Sequence, residues 1–115
     1  MDTVKFEKEF EHVVQKCQDV LITKGREYQS TNEEGTNVFA NFERLSESIG
    51  INRESVLWVY FSKHRDSINT FIRDMENGKS VKEIEENLSE PINGRIIDAI
   101  NYLLLLNSMI NDRRK

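Results

Sequence analysis

The chain has 115 residues, a formal net charge of -4 at pH 7 and 31% charged residues. This length suits a single domain with a real core and is too short for two. The acidic balance argues against general binding to DNA or RNA, because neutralising phosphates needs clustered lysine and arginine.

The first predicted element is a long amphipathic helix from residue 3 to about residue 24, where apolar residues recur at helical spacing. Gly25 is expected to end this helix ahead of a polar loop at residues 29–36. Between the helix and the loop, the segment Lys24-Gly25-Arg26-Glu27-Tyr28 combines two cations, a carboxylate and a phenol. The two cations could complement the helix dipole, or the segment could contact a ligand.

A short second helix is predicted between Asn37, which can cap its start, and Gly50, which ends it. Asn41 lies in this helix beside Phe42. Its side-chain amide could read the edge of a base, or it could hydrogen-bond a neighbouring helix.

The third predicted helix begins after Asn52 and reaches about Met75. His64 falls in the middle of its apolar face. It could be a core histidine or a metal ligand, but no second histidine lies at ligand spacing. Lys63 and Ser67 lie on the adjoining stripe, where the lysine could meet phosphate or extend over an apolar surface.

The last two elements are a short charged helix, opened by the capping box of Ser80 and Glu83, and a long helix that ends near Asp112. Pro91 suits the first turn of the long helix, and Ser89 is expected to cap it. We treat this final helix as the centre of the fold.

The final helix has two different faces. One broad apolar face carries Ile96, Ile97, Ile100, Leu103 and Leu104, and another stripe carries Arg95, Asp98 and Tyr102. Burying an unpaired charge costs several kcal/mol, so the arginine and the aspartate must pair with each other, meet another polar group or face a ligand cavity.

These elements predict an all-α fold, with residues 1–115 forming one bundle of four to five helices. Because the central helix is apolar nearly all round, we expect a homo-oligomer to complete the bundle. The single cysteine, Cys17, excludes an intrachain disulfide and fits a reducing cytoplasm. We expect no secretory signal, and the apolar run at residues 103–106 is too short to span a membrane.

Four segments together resemble the small phage and bacterial helical proteins called nucleotide-modification-associated domains, which are related to the all-α MazG-type nucleotide pyrophosphohydrolases. The resemblance spans roughly residues 21–110. It implies a cytoplasmic protein of a bacterial host that oligomerises and places a nucleotide pocket between its helices. It also implies Mg²⁺-dependent hydrolysis of a nucleoside triphosphate. The segments are Lys24-Gly25-Arg26-Glu27-Tyr28, Asn41-Phe42, Lys63-His64-Arg65-Asp66-Ser67-Ile68 and Gly94-Arg95-Ile96-Ile97-Asp98-Ala99-Ile100-Asn101-Tyr102-Leu103.

The sequence departs from the enzymes in its acidic motifs. Pyrophosphohydrolases of that type present Glu-Glu-x-x-Glu and Glu-x-x-Asp, because a hard divalent cation needs several carboxylate oxygens. Here the second motif aligns as Arg95-x-x-Asp98, and the first does not occur anywhere in the chain. An arginine in place of a carboxylate suggests direct pairing with phosphate.

Three functions are therefore open. The chain could bind a nucleotide or cyclic nucleotide without turning it over, as a phage anti-defence sponge does. It could be a divergent pyrophosphohydrolase with Glu27, Asp66 and Asp98 as candidate Mg²⁺ ligands, or a structural oligomerisation module. The candidate ligand-binding residues are Lys24, Glu27, Tyr28, Asn41, Lys63, Ser67, Arg95, Asp98, Asn101 and Tyr102.

Overall fold

The computed structural model describes residues 1–28 and 37–114, with the backbone alone described for residues 25–28. In these residues the protein is all-α, as the sequence predicted. The five helices are α1 (Thr3–Tyr28), α2 (Ala40–Ile49), α3 (Arg53–Glu76), α4 (Val81–Glu85) and α5 (Ile92–Asp112).

Several helix ends follow the local signals in the sequence. The side chain of Asn52 accepts a hydrogen bond from the Ser55 amide at 2.8 Å and caps α3. The capping box of Ser80 and Glu83 forms at the start of α4. Gly50 ends α2 in the left-handed conformation, with φ of 75°, which glycine adopts without steric cost.

Two other boundaries differ from the prediction. α1 does not end at Gly25 but continues to Tyr28, because one glycine costs a helix only about 1 kcal/mol. α2 begins three residues later than Asn37, at Ala40. Asn37 still stabilises the turn before α2, since its Oδ1 accepts a hydrogen bond from the Phe39 amide at 2.9 Å.

Ser89 does not cap α5 as expected. α5 begins at Ile92, with Pro91 as the residue before its first turn. The Ile92 amide donates instead to Oε2 of Glu85, at 2.9 Å. A carboxylate from the preceding helix therefore satisfies this amide and joins α4 to α5.

α5 occupies the middle of the fold. It packs on α3 and α1, while α2 and α4 pack on α3. Lys24 meets Asp98 and the Cys17 carbonyl meets Asn101, so residue numbers fall along α1 as they rise along α5. The two helices therefore run antiparallel.

Two apolar clusters fill the interior. Most of the larger cluster lies between α2, α3 and α5, and the smaller one joins α4 to α3 and α5. In the larger cluster the buried residues are Phe39, Phe42, Val56, Leu57 and Met109, and in the smaller they are Phe71, Ile84 and Ile92.

α5 turns its mixed stripe and part of its broad apolar face towards the rest of the chain. Asp98 and Tyr102 are half-buried, and Ile97 of the broad face is buried. In contrast, Leu103 of the same face is 46% exposed and Leu104 is 49% exposed. The exposed part of the broad apolar face has no comparable cover among the described residues, and the expected homo-oligomer stays a prediction.

One arginine connects the ends of three helices. The half-buried Arg53 pairs with Glu43 of α2 at 2.8 Å and with Asp112 of α5 at 3.1 Å. It also donates to the Met109 carbonyl at 3.2 Å, and its guanidinium lies 4.7 Å from the centre of the Phe39 ring. Because these partners belong to different elements, Arg53 fixes how α2 and α5 sit against α3.

A second arginine extends this network. Arg113 donates from Nη2 to Oε1 of Glu54 at 2.7 Å. The hydrogen bond from Arg113 is the main reason that the pKa of Glu54 falls from its ordinary value of 4.5 to about 2. Glu54 is therefore ionised at neutral pH and holds the end of α5 against α3.

We expect Arg53→Met to lower the free energy of unfolding by about 2 kcal/mol, because it removes the cation that pairs with Glu43, Glu54 and Asp112. Urea denaturation followed by circular dichroism would measure the change. Arg65→Met is the matched control, since Arg65 is 57% exposed and 3.9 Å from Asp66, and should change stability by less than about 0.5 kcal/mol. Equal effects of the two variants would contradict the role of Arg53.

Candidate functional site

The main cavity lies between α1, α3, α5 and the start of α2 and has a volume of about 950 Å³. This is at the upper end of the range for small-molecule sites. The cavity is lined by Leu21, Ile22, Lys24, Asn37, Val38, Phe39, Ala40, Asn41, Phe42, Tyr60, Lys63, His64, Asp98, Asn101, Tyr102, Leu105 and Ser108.

The structure brings together most of the residues that the sequence singled out. The six candidates that line the main cavity are Lys24, Asn41, Lys63, Asp98, Asn101 and Tyr102. They come from four helices, so their meeting could not be deduced from spacing along one helix. The side chains of Glu27 and Tyr28 lie outside the described residues.

Lys24 and Asp98 form an ion pair in the cavity wall. The lysine Nζ donates to Oδ1 of the aspartate at 2.9 Å, and the aspartate side chain is only 16% exposed. The sequence had left open a pair between Arg95 and Asp98 within α5. The structure shows that Asp98 instead takes its cation from α1.

The described lining of the cavity is cationic although the chain is acidic. Among the described residues, the charged ones that line the cavity are Lys24, Lys63 and Asp98, so two positive charges and one negative charge give +1, whereas the whole chain carries -4. Lys63 lies on α3, is exposed and forms no ion pair with the described residues. The balance favours an anionic ligand.

His64 lies next to Tyr102 and, like the two lysines, lines the cavity. The two ring centres are 5.0 Å apart. Burial lowers the pKa of His64 below its ordinary value, and the charges of Lys24, Lys63 and Arg95 act in the same direction, while Asp98 opposes them. The imidazole is therefore neutral at pH 7 and can both donate and accept a hydrogen bond.

Asn101 has one half of its amide satisfied. Its Nδ2 donates to the Cys17 carbonyl at 3.0 Å, while its Oδ1 is buried and has no hydrogen-bond partner among the described residues. Since a buried polar atom normally has a partner, this oxygen is an exception. Because the atom is buried, it is not accessible to a ligand in the open cavity.

An aromatic group borders the polar side chains. Phe42 lies edge-on to Tyr60, with ring centres 6.4 Å apart, and edge-on to Tyr102 at 6.1 Å. All three rings line the cavity. They offer apolar and π surface beside the lysines and amides.

Ser67 and Arg95 do not line the main cavity. They lie in a smaller pocket of about 200 Å³, farther along α3 and towards the start of α5. There Nη1 of Arg95 donates to Oγ of Ser67. Asp66 and Asp74 line the same pocket, which makes it less suited to phosphate than the main cavity.

The three candidate metal ligands do not form a described metal site. Asp98 lies in the main cavity and pairs with Lys24, while Asp66 lines the smaller pocket. Glu27 belongs to the residues whose side chains are not described. In the described part of the chain, no three His, Cys, Asp or Glu residues group so as to hold a metal ion.

Sequence reasoning missed part of the wall. Asp98, Asn101, Leu105 and Ser108 are spaced by three, four and three residues on α5 and all line the cavity, so helical periodicity alone could have extended the stripe to Ser108. Helical periodicity could not have placed Phe39 in the cavity wall, since this residue comes just before the first residue of α2.

No family model, curated protein or solved structure matches this chain. The resemblance drawn from the sequence motifs therefore stays a prediction. Among the helices of the described residues, none has the length and apolar character that crossing a membrane requires.

We expect His64 to titrate below its ordinary pKa of 6.5. Because the folded pKa is lower than the unfolded one, protonation of His64 destabilises the fold as the pH drops below that value. Proton NMR of the imidazole would measure the midpoint, and a His12→Gln variant, altered at the only other histidine, would assign the signal. A midpoint above 6.5 would contradict the described surroundings.

Proposed function

We propose that the protein binds a nucleotide or a nucleotide-derived signal in the main cavity and holds it without turning it over. The observation that carries this proposal is the +1 charge of the described cavity lining in a chain of net charge -4. Phosphate groups are the anionic part of a nucleotide, and lysine binds phosphate as a compact point charge.

Lys63 and Lys24 are the phosphate-binding residues in this proposal. Lys63 has no described ion pair to give up, so its ammonium group can contact phosphate at little cost. Lys24 is held by Asp98 at 2.9 Å, so the phosphate and the Asp98 carboxylate would share this cation. Asp98 therefore positions Lys24 and limits how strongly the site attracts anions in general.

The other walls suit the base and the sugar. Tyr60 and Tyr102 border the cavity, and an aromatic ring can stack on any base. The amides of Asn41 and Asn101 can pair with the polar edge of a base. Asn41 is the more exposed of the two, so its amide is the more accessible to a ligand.

The alternative of a divergent pyrophosphohydrolase needs Mg²⁺ held by carboxylates. The described acids do not fit such a site, because Asp98 is engaged by Lys24 and Asp66 lines a different pocket. The remaining alternative, a structural module, gives no role to the cationic lining. In the proposal taken from the resemblance, the protein acts as an anti-defence sponge in the cytoplasm of a bacterial host.

The test is to incubate the purified protein with a mixed panel of nucleoside triphosphates and cyclic dinucleotides, with and without Mg²⁺. The free and heat-released fractions are then separated by chromatography. Intact nucleotide released on heating supports binding without turnover. Monophosphate and pyrophosphate formed only with Mg²⁺ would contradict it in favour of the enzyme, and neither binding nor turnover would leave the structural module.

We expect Lys63→Ala to weaken binding of the retained nucleotide by roughly 10- to 100-fold, because it removes a charge-assisted contact to phosphate. Isothermal titration calorimetry would measure the dissociation constant. Lys79→Ala is the matched control, since it makes the same change of charge at an exposed residue outside the cavity. Equal affinities for the two variants would remove Lys63 from the site.

A further inference from the structure

α5 exposes an apolar face on the side opposite the cavity. Leu103 and Leu104 are nearly half exposed, Ile110 is 42% exposed and Ile96 is 39% exposed. Ile100 lies between them and is half-buried. In the described part of the chain, α5 uses its other face to pack on α1 and α3, so these residues have no comparable cover.

This face carries no charge. The only charged residues of α5 before Asp112 are Arg95 and Asp98, and both lie on the inward side, in the two pockets. The polar residues on the open face are asparagines. An exposed apolar face without charges is typical of a surface that another protein covers.

α1 provides a contrast. It also exposes large apolar side chains, including Phe6 and Phe10. However, five charged residues stand between positions 5 and 11 of the same helix, Lys5, Glu7, Lys8, Glu9 and Glu11. The open face of α5 is therefore the better candidate for a contact surface.

The open face has the spacing of a coiled-coil seam. Ile96, Ile100, Leu103, Asn107 and Ile110 follow one another by four, three, four and three residues. In heptad terms, Ile96, Leu103 and Ile110 occupy d positions, and Ile100 and Asn107 occupy a positions. A single asparagine at an a position is known to fix the register and favour a two-stranded pairing.

We propose that two copies of this chain pair through the open face of α5, in parallel and in register about a two-fold axis. A seam of this spacing is complementary to itself, so a second copy fits it without any further feature. Parallel pairing places Asn107 beside Asn107 of the second copy, where the two amides can hydrogen-bond. Antiparallel pairing about Leu103 would place each Asn107 against Ile100 and leave its amide without a partner.

The length of the seam predicts a reversible dimer. From Ile96 to Ile110 it covers about 21 Å of helix at the usual rise. A contact of this length is short for a specific interface, which usually buries about 1,200 to 2,000 Å² in total. We therefore expect a dissociation constant on the order of micromolar, and a dimer that separates on dilution.

Sedimentation velocity over a range of concentrations tests the pairing. The unchanged chain should shift from monomer to dimer as its concentration rises, and Leu103→Glu should raise the dissociation constant at least tenfold, or about 1.4 kcal/mol. Val59→Glu is the matched control, because Val59 is 64% exposed on α3, away from α5's open face. A monomer at all concentrations, or equal effects of the two variants, would overturn the proposal.

A disulfide tests the orientation and does not depend on a disruptive substitution. Ile100→Cys should form a covalent dimer under oxidising conditions, because parallel a positions come within disulfide distance and Asn107 stays in place to set the register. The native Cys17 is buried and should not interfere. If the cysteine variant still dimerises but does not form the cross-link, the parallel arrangement is overturned. Neither test depends on nucleotide binding.

Discussion

The fold depends on the polar groups that α5 turns inward. Asp98 and Asn101 would be costly to bury alone, and α1 provides a cation for Asp98 through Lys24 and an acceptor for the Asn101 Nδ2 through the Cys17 carbonyl. One turn before Asp98, Arg95 of the same helix finds the Ser67 hydroxyl on α3. The three contacts hold α1 and α3 on adjacent sides of α5. The position of the helices thus follows from the need to pair the polar stripe.

The same stripe explains why a cavity forms in this place. Polar side chains that reach across to other helices do not pack as closely as the apolar cluster around Leu57 and Met109. The cavity opens next to that cluster, and Tyr102 belongs to both, since it packs against the apolar core and lines the cavity. A rigid apolar base beneath a few polar groups is the usual arrangement of a small-molecule site.

Sequence alone predicted the helices and several of their ends, because Asn52, Ser80 and Gly50 act through contacts within three or four residues. It failed at Ser89, where a carboxylate seven residues before Ile92 caps the helix instead. It identified six residues of the cavity, but it could not separate them from Arg95 and Ser67, which lie in the smaller pocket. Which residues enter which pocket depends on how α1 and α3 pack against α5, and this packing cannot be deduced from the spacing of residues along one helix.

The two faces of α5 follow from different requirements. Asp98 and Asn101 need partners of specific chemistry, which only residues of the same chain can hold in place, so this stripe faces inward. The face with Ile100 and Leu103 needs apolar contact and a partner for the Asn107 amide, and a second copy can provide both. The cavity and the proposed seam lie on opposite sides of one helix, so pairing through the seam leaves the side chains that line the cavity in place.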